Sequence, residues 1–355
     1  MRHAIVPPYL LARIAAAREP TWARAAQAAR ATLDTPREYR PVRSRIRMSI
    51  EEPGTLVFES APAPDRTISD ARHLERLPGR RVRGEDDPPT GDSAVDESFH
   101  GLGATFDFWW DAYQRNGIDG TGGALLATVH YGRDYDNAFW NGERIVFGDG
   151  DGEVFVGFTG SLTVIAHELT HGVTEYEGGL VYQGHSGALN ESLSDVFGAL
   201  TEQHHLGQNA DEATWLIGEG IFSPAVEGVA LRSLAAPGTA YDDDVLGRDP
   251  QPAHMDDYVE TADDNGGVHI NSGIPNHAFY LTARALGGKA WERAGLIWYR
   301  TLTSGTLAPT SDFAAFARAT LAQAESEYGE GSEEVDAVQA GWTGVGVLDD
   351  RTDTA

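Results

Sequence analysis

The chain has 355 residues, 41% of them hydrophobic, no cysteine and a formal net charge of -27. Such a length holds one large or two ordinary domains with ample core, and the composition is that of a soluble globular chain. The charge argues against nucleic acid and anionic membranes as partners, and the lack of cysteine excludes disulfides and thiol chemistry.

The charge is uneven. Residues 1–50 carry ten arginines against Glu19, Asp34 and Glu38, so the rest is strongly acidic. A basic segment ahead of an acidic body suggests a separate element that docks electrostatically. The opening apolar run is broken by Pro7-Pro8 and ended by Arg13. It lacks the apolar stretch and cleavage site of a secretory signal, so the expectation is a cytoplasmic chain or export by a non-standard route. No stretch reads as a membrane span.

Residues 9–33, rich in alanine and arginine, read as one helix. Pro36, Pro41, Arg43, Arg45 and Arg47 then mark an accessible linker and a cleavage region. Residues 55–58 read as a short strand. Residues 93–115 read as a helix whose Phe99, Leu102, Phe106 and Trp109 face the core. Strand, turn and strand follow over 127–147, and Gly148-Asp-Gly-Asp-Gly152 is a turn rather than a calcium loop.

Residues 161–177 read as a helix stopped by Gly178-Gly179, and they contain His167-Glu168-Leu169-Thr170-His171. Four residues apart, the two imidazoles share one face and can hold one Zn²⁺. Glu168 sits beside the first ligand, where it can take a proton from a metal-bound water. A catalytic zinc usually has three protein ligands and one open position. Glu191 is the third candidate, on a helix expected over 188–206. Asp195 lies four residues on, and one of these two carboxylates can accept an N–H from a ligand histidine. His204 and His205 read as surface residues near a helix end. Residues 207–260 are irregular; 276–287, 290–303 and 310–327 read as packed helices; 349–355 is a tail.

Together the HExxH helix, Glu191, Asn137-Ala-Phe-Trp140 and Asp264-Asn-Gly-Gly-Val-His269 resemble the thermolysin-like zinc metallopeptidases. The Ile5-Val-Pro-Pro-Tyr-Leu-Leu opening is similar to the short propeptide of their protealysin-like subgroup. The resemblance implies an α+β fold of two lobes, a mixed β/α lobe (48–178) and a mainly helical lobe (179–348), with the zinc helix on the cleft floor. It implies a prosegment over 1–47 that blocks the cleft as an intramolecular inhibitor.

The implied activity is a zinc-dependent neutral endopeptidase acting on peptides and proteins. Asn137 and Ala138 would contact substrate main chain by strand addition. Tyr182 and His269 would stabilise the oxyanion, Asp264 would orient His269, and Arg232 would bind the carbonyl just past the cleaved bond. Phe155, Phe158, Val164, Ile217, Ile221 and Leu231 would line an apolar pocket, so cleavage is expected before bulky hydrophobic residues. His185 is not expected as a ligand. The family's double calcium site looks incomplete, because Thr163, Leu216 and Val229 replace acidic ligands while Glu202 and Glu219 remain. A non-catalytic binding protein would have lost a catalytic position. An aminopeptidase is disfavoured by the Asn-Ala-Phe-Trp strand.

Overall fold

The computed structural model describes residues 3–40 and 62–349. The strand expected at 55–58, the arginine cluster at 43–47, the boundary at 47 and the tail past 349 lie outside the described residues.

The N-terminal lobe is built on a five-stranded sheet of order β2-β1-β3-β5-β4: β1 (Arg66–Asp70), β2 (Arg80–Gly84), β3 (Leu125–Val129), β4 (Ala138–Trp140) and β5 (Ile145–Phe147). The β1–β3 and β3–β5 pairs are parallel, and β1–β2 and β4–β5 are antiparallel. Its position at the sheet margin leaves β4 with one edge open to a further strand. Helix α3 (Ser93–Tyr113) packs on this sheet; the Asp92 carboxylate caps it and left-handed Gln114 ends it. Helix α4 (Leu162–Tyr176) touches β4 and packs chiefly against α5 (Gly184–Leu206), and the two form the seam between the lobes. Both are buried over most of their length.

The C-terminal lobe is helical: α5, α6 (Asp264–Asn271), α7 (Gly273–Leu286), α8 (Ala294–Thr303), α9 (Phe313–Tyr328) and α10 (Glu333–Gly344). The irregular stretch expected over 207–260 contains a 3₁₀ turn at Met255–Asp257 and two short ladders. These pair β6 (Leu216–Ile217) with β7 (Arg232–Ser233), and β8 (Asp242–Asp243) with β9 (Gly247–Arg248). Helix α5 starts four residues earlier than expected, at Gly184. Helix α10 had no counterpart in the sequence reading, although Ser332 caps it and Glu333 and Glu334 fill its first turn. Among the described residues no helix is long and apolar enough to cross a membrane.

The helix expected over 9–33 is two: α1 (Pro8–Ala15) and α2 (Ala23–Asp34), separated by a 3₁₀ turn at Pro20–Trp22. The break is physical, because Pro20 lacks an N–H and disfavours helix at the residue before it. Residues 3–40 dock on the body mainly through apolar side chains. Ile5, Val6, Leu10, Leu11 and Ile14 are all at most 1% exposed. Each such side chain stabilises by ~1.5–3 kcal/mol when fully buried. The expected electrostatic docking is present as Arg24–Asp134 (2.7 Å) and Arg40–Glu143 (3.0 Å), but both arginines are 56% exposed. Exposed pairs contribute at most ~1 kcal/mol each, so apolar burial dominates.

Under α2 lies a buried acid pair. The Asp136 N–H donates to Thr32 Oγ at 3.0 Å, while neither Asp136 carboxyl oxygen has a protein donor. Burial, then the neighbouring Asp151, pushes the Asp136 carboxyl up to about 10. One proton between the two carboxyls satisfies both. A raised carboxyl pKa gives stability that is full below the unfolded value of about 4 and is lost as pH rises towards about 10. Asp136→Asn supplies the donor without needing the proton. Thermal melts should show little change near pH 4 and a gain of ~1–3 kcal/mol at pH 8–9; an unaltered pH slope would contradict the shared proton.

Candidate active site

Helix geometry places His167 and His171 on the face of α4 that meets α5. Their Nε2 atoms are 3.1 Å apart. Glu191 on α5 brings Oε2 to 3.4 Å from His167 Nε2 and Oε1 to 3.5 Å from His171 Nε2. All three side chains are fully buried. Their ligand atoms lie within 4.8 Å of one another, the one such group of three among the described residues. The outward nitrogens are committed elsewhere. His167 Nδ1 meets Asp195 Oδ1 at 2.8 Å, and His171 Nδ1 meets Asn190 Oδ1 at 2.8 Å and Ser194 Oγ at 3.1 Å. Donation from Nδ1 leaves the Nε2 lone pairs facing Glu191, whose Oε2 has no donor. Burial first, then His3 and His167, holds His171 well below the usual imidazole range, in the neutral form that ligates metal. Two imidazoles presenting Nε2 and a carboxylate with one oxygen free of protein donors fit Zn²⁺.

Glu168 is buried one residue along. Its Oε2 accepts the Trp140 N–H at 2.7 Å, and its Oε1 has no protein donor. Burial, then the charge of Glu191, raises its carboxyl well above the ordinary value. Tyr182 Oη donates to Glu191 Oε1 and lies 3.3 Å from His269 Nε2. His269 Nδ1 meets Asp264 Oδ1 at 2.7 Å, and Asp264 Oδ2 accepts the His269 N–H. Burial lowers the His269 pKa, but Asp264 and Glu191 outweigh it and bring the imidazole up to about 9. The Asn-Gly-Gly of this motif supplies a left-handed turn (φ of 52°, 82° and 70° at Asn265, Gly266 and Gly267) that folds Asp264 back onto His269.

The described N-terminal residues lie along this site. The Ile5 N–H donates to Ala138 O on the free edge of β4 at 3.1 Å. The Asn137 side chain clamps Val6, accepting its N–H and donating to its carbonyl, both at 2.9 Å. Arg232 donates to Ile5 O at 3.1 Å and His269 Nε2 reaches Ala4 O at 3.0 Å. Ile5 belongs to the buried cluster that contains Phe155, Phe158, Val164, Ile217, Ile221 and Leu231. Of the site residues named from sequence, Asn137, Ala138, Arg232 and His269 are therefore brought together around residues 4–6.

Sequence reasoning missed several supports. Asn190 and Ser194 fix His171, Asn276 donates to Asp195 Oδ2 at 2.9 Å, and Gln251 donates to His269 O. Asn190 directly precedes Glu191, so helical spacing could have found it; Asn276 and Gln251 gave no local signal. Asp195 has a second partner that was not anticipated, because Arg232 forks onto it at 2.8 Å through Nε and again through Nη2. His185 stacks on Tyr258, and its Nδ1 accepts the Phe313 N–H at 3.4 Å. His204, expected on the surface, packs edge-on against Phe108 and Trp291. Thr163 Oγ accepts the Gly218 N–H at 2.9 Å, and burial, then Glu219, raises the Glu202 carboxyl to about 7.

Comparison with known proteins agrees with this geometry. Residues 67–175 match the thermolysin metallopeptidase catalytic domain, and residues 178–347 match the thermolysin metallopeptidase alpha-helical domain. An extracellular metalloprotease of Pectobacterium carotovorum is 50% identical over 345 residues, covering 97% of this chain and 96% of that protein. Protease PrtS of Photorhabdus sp. is 50% identical over 284 residues, 79% of this chain and 76% of its own length. A thermolysin of Alicyclobacillus acidocaldarius is 40% identical over 287 residues, 78% of this chain but half of that protein. Among solved structures, the precursor of protealysin, a metalloproteinase from Serratia proteamaculans, superposes with a TM-score of 0.87 at 49% identity, covering 97% of this chain and 99% of that one. The chain belongs to the thermolysin family and is a zinc metalloendopeptidase.

Proposed function

We propose that residues 1 to about 47 are an inhibitory prosegment, that 48–178 and 179–348 are the two catalytic lobes, and that the residues gathered above perform the hydrolysis. The observation that carries this reading is the hydrogen bonding of residues 4–6. Their peptide groups meet Ala138, Asn137, Arg232 and His269 as a bound substrate would. A chain that fills its own cleft in this way keeps other peptides out until it is cut away. The 50% identical relative carries the name extracellular metalloprotease, and action outside the cytoplasm is part of the proposal.

In the proposed mechanism His167, His171 and Glu191 would hold Zn²⁺, which would supply an acidified water and polarise the scissile carbonyl. Glu168, with Oε1 free of protein donors, takes the water proton and returns it to the leaving amine. His269, kept cationic by Asp264, and Tyr182 donate to the developing oxyanion. Arg232 and Asn137 hold the main chain after the cleaved bond, and Ala138 accepts the N–H at that bond. The double calcium site is not formed in this reading, since Thr163, Leu216 and Val229 offer no carboxylate.

The reading is tested by following intact mass over time for wild type and Glu168→Ala, with and without a zinc chelator. Loss of about the first 47 residues, only in zinc-loaded wild type, is the expected result; equal loss from Glu168→Ala would contradict it. In freed enzyme that retains its zinc, Glu168→Ala should cost far more than the ~10²–10³ expected for removing one oxyanion donor, and Tyr182→Phe should cost less than Glu168→Ala. Peptide libraries should be cut before Leu, Ile or Phe, with broad selectivity of only ~1–3 kcal/mol per methylene. Preferred cleavage before Asp or Lys would refute the pocket assignment.

A further inference from the structure

The prosegment lies in the cleft in cleavable register, so the reading above has a consequence for the prosegment's own first residues. We infer that the precursor cuts itself between Ala4 and Ile5 and stays inhibited afterwards. The register is set by five hydrogen bonds. Ala4 O is at His269 Nε2 (3.0 Å), the Ile5 N–H is on Ala138 O (3.1 Å), and Ile5 O is on Arg232 (3.1 Å). Asn137 then holds both polar backbone groups of Val6. The oxyanion donor thus meets Ala4 O and the main-chain readers begin at Ile5, so the Ala4–Ile5 peptide bond spans the reacting position. Ile5 is fully buried. The chain leaves the strand path one residue earlier, where His3 has φ of +53° and lays its ring against His171 and Tyr182.

Chemically the step is one hydrolysis. The oxygen of a water bonds to the Ala4 carbonyl carbon, Glu168 takes one of its protons, and the C–N bond to Ile5 breaks. The proton passes to the Ile5 nitrogen, leaving a carboxylate on Ala4 and an ammonium on Ile5. No redox partner is required. The new ammonium keeps a donor for Ala138 O, and every contact from Val6 to Ile14 lies on the retained side. Met1–Ala4 is therefore lost while α1 and α2 remain docked.

The inference rests on the protease reading, and the experiment separates the two. Full-length precursor is incubated at concentrations spanning about a hundredfold, and intact mass and N-terminal sequence are read over time. The expected result is loss of four residues ahead of the later loss of residues 1–47, a new N-terminus at Ile5, a rate of this first cut independent of concentration, and no such product from Glu168→Gln. A rate that falls in proportion to dilution means trimming in trans and overturns the register argument. In parallel, enzyme freed of residues 1–47 is given a peptide with Leu after the cleaved bond. If this peptide is cut while the precursor keeps Met1, the inference fails and the protease reading stands; if neither is cut, both fail. A readout without turnover uses freed Glu168→Gln and calorimetry with synthetic peptides 1–14 and 5–14. Affinities within about tenfold are expected, equivalent to ~1.4 kcal/mol. A loss of about a hundredfold or more for 5–14 would mean that the cut releases the segment, against the inference.

Discussion

One buried carboxylate ties the molecule together. Asp195, fully buried on α5, accepts from His167 on α4, from two nitrogens of Arg232 on β7, and from Asn276 on α7. A lone carboxylate there would be strongly destabilising, and only several donors make it tolerable. Burial opposes its ionisation, but Arg232 and His167 overcome this and hold it well below the usual carboxylate range. It therefore stays an acceptor across ordinary pH. That acceptor fixes the His167 tautomer, turning Nε2 towards His171 and Glu191, and the same two oxygens aim Arg232 so that a remaining nitrogen reaches the carbonyl of Ile5. The clustered histidine and Arg232 share one support, so neither can move without the other.

How far the sequence exposes this arrangement depends on distance along the chain. His167 and His171 sit four apart on one helix, and Glu191 and Asp195 on the next, so periodicity alone brings out the ligand set and its nearest support. Residue spacing says nothing of Arg232, 37 residues from Asp195 across an irregular loop. Its role came only through family resemblance, and its pairing with Asp195 was not anticipated. The two-lobe fold was likewise expected, while α10 and the break at Pro20 were not. Pro20 carried a readable signal that an alanine-rich background masked. Helix α10 carried a cap at Ser332 but followed a glycine-rich stretch. The left-handed turn at Asn265–Gly267 is written in the glycines, yet its purpose, folding Asp264 onto His269, is visible only in three dimensions.

The N-terminal segment shows why charge contrast is a poor guide to what holds a docked element. Ten arginines against an acidic body suggested electrostatic attachment. The pairs that form remain half in water and are screened by salt, whereas the apolar face of α1 is removed from water altogether. Charge steers the segment to the body, and burial keeps it there.

Tethering completes the argument. While the chain is continuous, residues 3–40 stay tethered to the body and their local concentration is of order mM. On the proposed reading, weak main-chain contacts at Ile5 and Val6 then suffice to exclude a competing peptide. A cut in the linker makes the same contacts bimolecular, and dilution and further proteolysis remove the segment. A cut ahead of Ile5 changes nothing in that balance, because the tether and the apolar contacts of α1 lie after it. On the proposed reading, the N-terminal segment therefore presents a cleavable bond to its own enzyme without ceasing to inhibit it.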